Sequence, residues 1–221
     1  MVLNYKLLLT SKGIVPEIKE VFLSLLIKKP EDNAVALITT AGFGDAKDIH
    51  WVRSKCASLY DCGIKNVEEI DLKEKKQAEI ERIFAQKEIV FVAGGNAFYL
   101  MHWMRQSGFH ETIRTFLEKG GLYVGASAGS YVACPTIEQA AWKRQDNNKI
   151  GLTSLAALHL VPCLITAHFE EKYRDIVEAE AKRSQYPIVA LNDRQAMLVQ
   201  GNKVKIVGEG KKEFWNGFRE V

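Results

Sequence analysis

The sequence predicts an α/β fold built on a mainly parallel β-sheet with helices on both faces. Over the first 125 residues, short apolar runs alternate with segments whose apolar residues recur at helical spacing. The short runs are apolar on both faces, as strands are when connecting helices cover both sides of a parallel sheet. Near the C-terminus, Gly201 and Asn202 separate two β-prone runs, which predicts an antiparallel hairpin.

Each element follows from its local pattern. Strands are predicted at residues 5–10, 34–40, 67–72, 89–93, 122–125, 163–167 and 188–191, and the hairpin at 196–200 and 203–207. Helices are predicted at residues 14–27, 46–60, 75–84, 97–105, 110–117 and 171–184. No Ser/Pro/Gly-rich linker and no repeat divides the chain, so one domain is predicted over residues 1–221.

Composition excludes several functional classes. Of 221 residues, 47% are hydrophobic and 26% charged, and the net charge of +3 is too small to indicate a nucleic-acid partner. Four cysteines form no CxxC pair and no cluster with histidine, which argues against a metal site or a disulfide framework. The N-terminal apolar patch is too short for a signal peptide, and no run reaches membrane-spanning length. We therefore expect a cytoplasmic protein without a membrane partner.

The segment "YVGASAGSYVACP", residues 123–135, carries the strongest functional signal. It fits the pattern G-x-S-x-G, with Gly125 and Gly129 on either side of Ser127, at the point where a strand ends and a helix begins. In a nucleophile elbow the serine lies on a sharp turn, and residues two positions away must be small to avoid collision. Ser127 is therefore the candidate nucleophile.

A nucleophilic serine needs a general base. His50, His102 and His110 fall within predicted helices, and His159 lies in the segment leading to a later strand. His168 instead ends the apolar strand "CLITAHF", so we expect it at the same edge of the sheet as Ser127. It is the best candidate base.

The acid that would orient this histidine is not fixed by the residues alone. Asp146 lies in the loop between the elbow and His168, Glu138 follows the elbow helix, and Glu170 stands two residues after His168. An oxyanion hole would use the N–H of Ala128 and a second N–H from the segment "AGGN" at residues 93–96. Within that segment, Asn96 is also expected to cap the following helix.

Three motifs in this order resemble peptidase family S51, which includes the aspartyl dipeptidases and, more distantly, cyanophycinase. They are "FVAGGNAFYL", "GLYVGASAGSYVACPTI" and "LHLVPCLITAHF", and the resemblance covers most of the chain. It implies a flavodoxin-like fold related to class I glutamine amidotransferases, and a serine peptidase that uses no cofactor. It also implies Ser127 as nucleophile, His168 as base, Gly95 and Ala128 as oxyanion donors and, by counting back from Leu158, Asp146 as the acid.

The substrate implied by the resemblance is a short peptide, and the protein is expected to be a monomer or homodimer. Family members that prefer an N-terminal aspartate carry the loop pattern GHxGxTR, whose arginine holds the substrate carboxylate. This chain has the shorter "EEKYRDI" there, with Arg174 as the only nearby arginine. Asn96 and Arg174 are therefore the candidate substrate-binding residues, with at most a modest acidic preference.

Three other functions fit parts of the pattern. An α/β-hydrolase-type esterase also has the order Ser, acid, His, although His168 follows Ser127 closely for that fold. An amidotransferase-like domain matches the segment "HFE" at residues 168–170, but its elbow nucleophile is a cysteine. A catalytically silent binding protein would keep the fold without turnover.

Overall fold

The computed structural model describes residues 5–44 and 57–221. The strands in these ranges are β1 (Lys6–Thr10), β2 (Ala34–Ile38), β3 (Asn66–Ile70), β4 (Ile89–Val92), β5 (Leu122–Ala126), β6 (Leu164–Thr166), β7 (Ile188–Ala190), β8 (Gln195–Gln200), β9 (Lys203–Gly208) and β10 (Glu213–Trp215). The α-helices span Pro16–Ser24, Gln77–Phe84, Ala97–Gln106, Phe109–Glu118, Ala128–Tyr131, Gln139–Trp142 and Arg174–Ala181. Short 3₁₀ helices span Pro30–Asp32, Thr40–Phe43 and Glu171–Tyr173.

The main sheet confirms the predicted α/β class. Its strand order is β3-β2-β4-β5-β1-β8-β9, in which β3, β2, β4, β5 and β1 are parallel. The predicted hairpin is present as β8 and β9, which pair antiparallel up to Gln200 opposite Lys203. Strand β8 also pairs antiparallel with β1, so the hairpin extends the parallel sheet at one edge.

Alternation along β1 builds a hydrophobic layer on each face of this sheet. Leu7 and Leu9 belong to one buried cluster, whereas Leu8 belongs to the other. Successive strand side chains point to opposite faces, so a strand buried on both sides needs apolar residues throughout. Ile18 and Phe22, one turn apart on the first helix, pack into the same cluster as Leu8.

The strand that leads to His168 departs from the expectation. It was expected to end at the same sheet edge as Ser127, but β6 belongs to a separate sheet of order β10-β7-β6. The main sheet has no place beside β5, because β4 and β1 occupy both of its sides. Leu164 of β6 and Ile188 of β7 nevertheless join the buried cluster that contains Leu7, so the small sheet packs on the main one.

Several helix boundaries also differ from the predicted ones. The predicted helix at 171–184 divides into the 3₁₀ helix Glu171–Tyr173 and the α-helix Arg174–Ala181. Most of the predicted helix at 46–60 lies outside the described residues, and residues 57–61 are helical. In the described part of the chain, no helix combines the length and apolar character needed to cross a lipid bilayer.

Candidate active site

Ser127 lies on a sharp turn between β5 and the helix Ala128–Tyr131. Its backbone has φ 50° and ψ −109°, a combination that L-residues rarely adopt and that costs of order 1–3 kcal/mol. Hydrogen bonds hold the turn on both sides: the N–H of Ser127 donates to the carbonyl of Thr10 at 3.1 Å, and its own carbonyl accepts from Ser130 and Tyr131. The turn has the form of the predicted nucleophile elbow.

The two glycines of the elbow are required by close backbone contacts. A Cβ atom on Gly125 would lie 2.6 Å from the carbonyl oxygen of Gly129. A Cβ atom on Gly129 would overlap the carbonyl oxygen of Val92 on the neighbouring strand β4. Neither contact can relax by moving a side chain, because both obstacles are backbone atoms. The G-x-S-x-G pattern is thus a steric requirement of this turn.

His168 reaches Ser127 from the small sheet. Its Nε2 lies 3.0 Å from Ser127 Oγ, and about a third of its side chain is exposed. The residue has φ 55°, in the left-handed region. Its backbone N–H donates to the Ser11 hydroxyl at 2.7 Å, which ties it to the end of β1. The structure therefore brings together the two side chains that the sequence singled out, although they belong to different sheets.

Asp193 holds the other side of the imidazole ring. Its Oδ1 lies 2.5 Å from His168 Nδ1 and also accepts a hydrogen bond from the Ser11 hydroxyl at 3.1 Å. Burial raises the pKa of this carboxyl, but the hydrogen bond and charge of His168, the Ser11 hydroxyl and nearby Lys12 together lower the pKa below its usual value. An ionised Asp193 fixes the proton of a neutral His168 on Nδ1, which leaves Nε2 free to accept the hydroxyl proton of Ser127.

The choice of Asp146 as the partner of His168 is corrected by this geometry. The Asp146 carboxylate instead accepts a hydrogen bond from the backbone N–H of Ala97 at 2.8 Å. Ala97 begins the helix Ala97–Gln106, where free N–H groups and the helix dipole stabilise a negative charge. In the same loop, the Asn147 carbonyl accepts a hydrogen bond from the Asn96 side chain at 2.8 Å. Asp146 thus anchors this loop to the segment that follows β4.

The two alternative acids also lie elsewhere. Glu170 is exposed and holds Lys172 through both carboxylate oxygens at 2.8 Å. Glu138 directly precedes the helix Gln139–Trp142, and its N–H donates to the Thr136 hydroxyl. Neither of them occupies the position at His168 Nδ1, which Asp193 holds.

Asp193 was missed by the sequence analysis, although a signal for it was present. It lies in "ALNDRQ", directly after the buried strand β7. Strands β6 and β7 are parallel, with Thr166 opposite Ala190, so residues that follow the two strands meet at one edge. The rule that selected His168, a polar residue at the carboxyl end of an apolar strand, would have selected Asp193 as well.

The candidate oxyanion segment lies beside the elbow. A Cβ atom on Gly94 would lie 3.1 Å from the Cβ of Ser127, which places this backbone against the serine. Gly95 has φ 129°, and a Cβ there would overlap the carbonyl of Ala41, so glycine is required. Among the described residues, the N–H groups of Gly95 and Ala128 have no protein acceptor. Backbone N–H groups that are close to a serine hydroxyl and free of protein acceptors can bind a developing oxyanion.

Protein contacts occupy the two candidate substrate-binding side chains. Asn96 caps the helix as predicted, with its Oδ1 accepting from the N–H of Tyr99 at 2.9 Å, while its amide nitrogen binds Asn147. Arg174 donates to Glu171 and, at 2.8 Å, to Glu213 of β10. Its guanidinium also lies 5.9 Å from the centre of the Trp215 ring. Arg174 therefore joins its helix to the small sheet.

A strained serine at a strand-to-helix turn, hydrogen-bonded to a histidine, is the arrangement found in serine hydrolases of α/β fold. Comparison with known proteins gives the family. The sequence model of peptidase family S51 matches residues 7–207. The chain belongs to this family of serine-type peptidases, and the protein is a peptidase.

Individual relatives agree with this assignment. An uncharacterized peptidase of Pasteurella multocida is 28% identical over 146 residues, which cover 64% of this chain and 69% of that protein. Peptidase E of Nostoc is 40% identical over 131 residues, covering 55% of this chain and 52% of that one. The crystal structure of a candidate peptidase E from Listeria monocytogenes superimposes with a TM-score of 0.80 at 23% identity, covering 93% of this chain and 99% of that one. At that identity the structural likeness establishes the fold.

Proposed function

We propose that the protein hydrolyses short peptides through a catalytic triad of Ser127, His168 and Asp193. The observation that carries this proposal is one continuous chain of contacts, 3.0 Å from Ser127 Oγ to His168 Nε2 and 2.5 Å from His168 Nδ1 to Asp193 Oδ1. Both distances lie within or at the edge of hydrogen-bonding range, and each group has the partner that its role requires. Asp193 takes the part that the sequence analysis gave to Asp146.

The chemistry follows from these positions. Ser127 Oγ attacks the carbonyl carbon of the scissile peptide bond while His168 Nε2 takes the hydroxyl proton. His168 then gives this proton to the leaving amine, and the acyl group stays on Ser127. A water molecule then gives a proton to the same nitrogen and attacks the acyl carbon. The bond to Ser127 Oγ breaks, His168 returns the proton to this oxygen, and the acid leaves. Asp193 stays ionised throughout and stabilises the transient imidazolium.

The negative charge on the carbonyl oxygen needs donors during both attacks. We assign this role to the N–H groups of Ala128, which follows Ser127, and of Gly95, which follows the Gly94 backbone that lies against Ser127. Neither N–H has a protein acceptor within the described residues. One such donor contributes about 2.7–4 kcal/mol of transition-state stabilisation in well-studied serine peptidases. The contact between the Asp146 loop and the Asn96–Ala97 segment would hold the Gly95 backbone in place.

The proposed substrates are dipeptides and similarly short peptides with a free N-terminus. This assignment rests on the family and on the similarity to peptidase E of Nostoc. An arginine clamp for an N-terminal aspartate is not part of the proposal, because Arg174 already binds Glu171 and Glu213. We therefore expect at most a modest preference for acidic residues.

A catalytically silent binding protein, an esterase and a thiol-dependent amidotransferase-like enzyme are the alternatives. The proposal separates from them in a single set of assays. Wild type should cleave members of a panel of Xaa-Leu dipeptides, and a fluorophosphonate probe should label Ser127, located by mass spectrometry of the digested protein. In Ser127→Ala, kcat for dipeptide hydrolysis should fall by a factor on the order of 10⁶, and labelling at this position should be lost.

Each alternative gives a different outcome. Cleavage of p-nitrophenyl esters without any dipeptide would indicate an esterase. Inactivation by iodoacetamide with full activity in Ser127→Ala would indicate a thiol enzyme. If no dipeptide is cleaved and no label reaches Ser127, the protein would be a catalytically silent binding protein and the proposed mechanism would be refuted.

Cellular location and assembly stay predictions. Cys62, Cys134 and Cys163 are buried free thiols, which suits the proposed cytoplasmic location. A single domain and a monomeric or homodimeric state are proposed on the sequence alone. Size-exclusion chromatography coupled to light scattering would test the state of assembly.

A further inference from the structure

Lys143 is the one charged residue among the buried residues of 5–44 and 57–221, with only 8% of its surface exposed. It follows directly after the helix Gln139–Trp142. Lysine is rarely buried in this way, because removing an ammonium group from water is costly unless it finds partners. The position therefore calls for a specific explanation.

The partner of the ammonium group is a backbone carbonyl next to the active site. Lys143 Nζ donates a hydrogen bond to the carbonyl oxygen of Ala167, the residue before His168. Its Nζ also lies 5.4 Å from the centre of the Tyr173 ring. Burial lowers the pKa of Lys143 to about 8, while the charges of Asp193, Asp146 and Glu170 act to raise the pKa. The three carboxylates thus offset part of the cost of burying this charge, and burial remains the larger effect.

The peptide unit between Ala167 and His168 is held at both ends. Lys143 holds its carbonyl oxygen, and the Ser11 hydroxyl accepts a hydrogen bond from its nitrogen at 2.7 Å. One residue earlier, the N–H of Ala167 donates to the Tyr131 hydroxyl at 3.2 Å. These contacts surround a residue with φ 55°. Because an L-residue leaves such a conformation unless its surroundings enforce it, the contacts on this peptide determine where the imidazole points.

We propose that Lys143 is a positioning residue for His168. It fixes the orientation of the imidazole by binding the Ala167 carbonyl, while Ser11 binds the N–H at the other end of the same peptide unit. This inference rests on the proposed triad, because it concerns the orientation of the general base. Within the described residues, Lys143 makes its hydrogen bond to the Ala167 carbonyl and none to Ser127 or to the imidazole. Its effect on the reaction passes through one peptide plane.

A direct role in substrate binding would place different demands on Lys143. A cation that receives an anionic substrate group must be accessible and must lack a full complement of counter-charges. Lys143 is buried, its ammonium group already donates to the Ala167 carbonyl, and the charges of three carboxylates already act on it. A positioning role changes kcat, whereas a substrate-binding role changes KM, so steady-state kinetics separate the two.

The test compares four variants with wild type, using the dipeptide that wild type cleaves fastest. Lys143→Met removes the charge and the donor but keeps a similar stem, and Lys143→Arg keeps both the charge and a donor. Lys172→Met is the matched control, because Lys172 Nζ also lies over the Tyr173 ring, at 4.9 Å, but is exposed and binds Glu170. Ser127→Ala reports on the triad itself. The downfield proton resonance of His168 Nδ1–H gives a readout that does not depend on turnover.

The proposal predicts a distinct pattern. Lys143→Met should lower kcat about tenfold to a hundredfold with KM within twofold, and it should shift the Nδ1–H resonance of His168. Lys143→Arg should recover most of kcat, and Lys172→Met should match wild type. Where Lys143→Met does not fold, Lys143→Gln takes its place with the same expected decrease.

Other outcomes overturn one proposal or the other. The positioning role would be refuted if the neutral Lys143 variant kept both the kcat and the His168 resonance of wild type. A change confined to KM would refute it as well. If Ser127→Ala remained active, the proposed triad itself would be refuted, whatever the result for Lys143. The two failures are therefore distinguishable.

Discussion

The two halves of the proposed site are built by different means. The half that carries Ser127 lies on the main sheet and is defined by backbone contacts between close neighbours in the fold, such as Gly129 against Val92. The half that carries His168 and Asp193 follows the small sheet and is assembled by side chains that bridge distant parts of the chain. Ser11 forms hydrogen bonds with His168 and Asp193, which lie 157 and 182 positions further along the sequence. The first half is defined by a short sequence motif packed against backbone, and the second by side-chain hydrogen bonds across the tertiary structure.

This difference shows in the environment of the groups as well. Ala128, beside the nucleophile, is fully buried, whereas the side chains of His168 and Asp193 are 32% and 43% exposed. A backbone turn packed into the core has few alternative conformations. A histidine with a third of its side chain exposed needs support from several directions. Ser11 and Asp193 bind it directly, and Lys143 acts through the Ala167 carbonyl.

The largest effect on stability is expected on the elbow side. Gly129→Ala should reduce the free energy of unfolding by about 3 kcal/mol or more, because its Cβ would overlap the Val92 carbonyl and only the backbone could move. Gly120→Ala is the control, since a Cβ there meets no atom within 4 Å and only the φ of 89° costs about 1 kcal/mol. Urea denaturation measures both. Equal stability of the two variants would contradict a rigid, sterically defined elbow.

On the base side, the buried charge of Lys143 should make stability depend on pH. Its pKa is lowered from 10.5 to about 8 on folding, so the unfolded chain binds more protons than the folded one between these values. The stability of wild type should therefore rise from pH 8 towards pH 10 relative to Lys143→Met, by up to about 3 kcal/mol. Asp193, Asp146 and Glu170 are the carboxylates whose charges act on this amine, and they oppose the effect of burial on its pKa. A pH-independent difference between the two proteins would refute a buried ammonium group.

Removing the bridge between the halves should affect catalysis more than folding. Ser11→Ala leaves the N–H of His168 without its acceptor and Asp193 without one donor. We expect kcat to fall about tenfold to a hundredfold with little change in KM. Ser24→Ala, which removes only a local hydrogen bond to the Val21 carbonyl, serves as the control and should keep wild-type kinetics. Wild-type kcat in Ser11→Ala would mean that the imidazole needs no such support.

The smallest catalytic effect is expected at Arg174. Because this arginine joins its helix to Glu213 of β10, Arg174→Ala should lower the melting temperature while kcat/KM for Asp-Leu relative to Ala-Leu stays within threefold of wild type. Arg183→Ala, which removes an exposed ion pair with Glu180, should change neither quantity. A selective loss of Asp-Leu hydrolysis in Arg174→Ala would restore the substrate-binding role that the sequence suggested.

The sequence predicts the elbow half of the site well, for a physical reason. Glycine is required at 125 and 129 because neighbouring backbone leaves no room for a Cβ atom, so the two glycines directly indicate the sharp turn at Ser127. The pattern of apolar residues likewise predicts the parallel sheet, and Gly201-Asn202 predicts the hairpin. His168 was found because a polar residue after an apolar strand is a local feature.

The second sheet could not be predicted in the same way, and the local signal at Asp193 does not by itself show which acid reaches His168. Whether β6 adds to the main sheet or pairs with β7 depends on which strand edges are free, and that is decided by the pairing of β5 with β4 and β1. The resemblance to the family, by counting back from Leu158, favoured Asp146. In the fold, its carboxylate binds Ala97, and the loop after β7 brings Asp193 to the histidine instead.

The choice between these two aspartates is the central claim, and one paired measurement tests it. We predict that Asp193→Asn lowers kcat for dipeptide hydrolysis by about 10⁴-fold, because the neutral amide cannot hold the proton of His168 on Nδ1. Asp146→Asn should remain within about tenfold of wild type, since it weakens the contact with Ala97 and removes one charge that acts on Lys143 but leaves the contact between His168 and Asp193 in place. A severe loss in Asp146→Asn together with a mild one in Asp193→Asn would contradict the assignment.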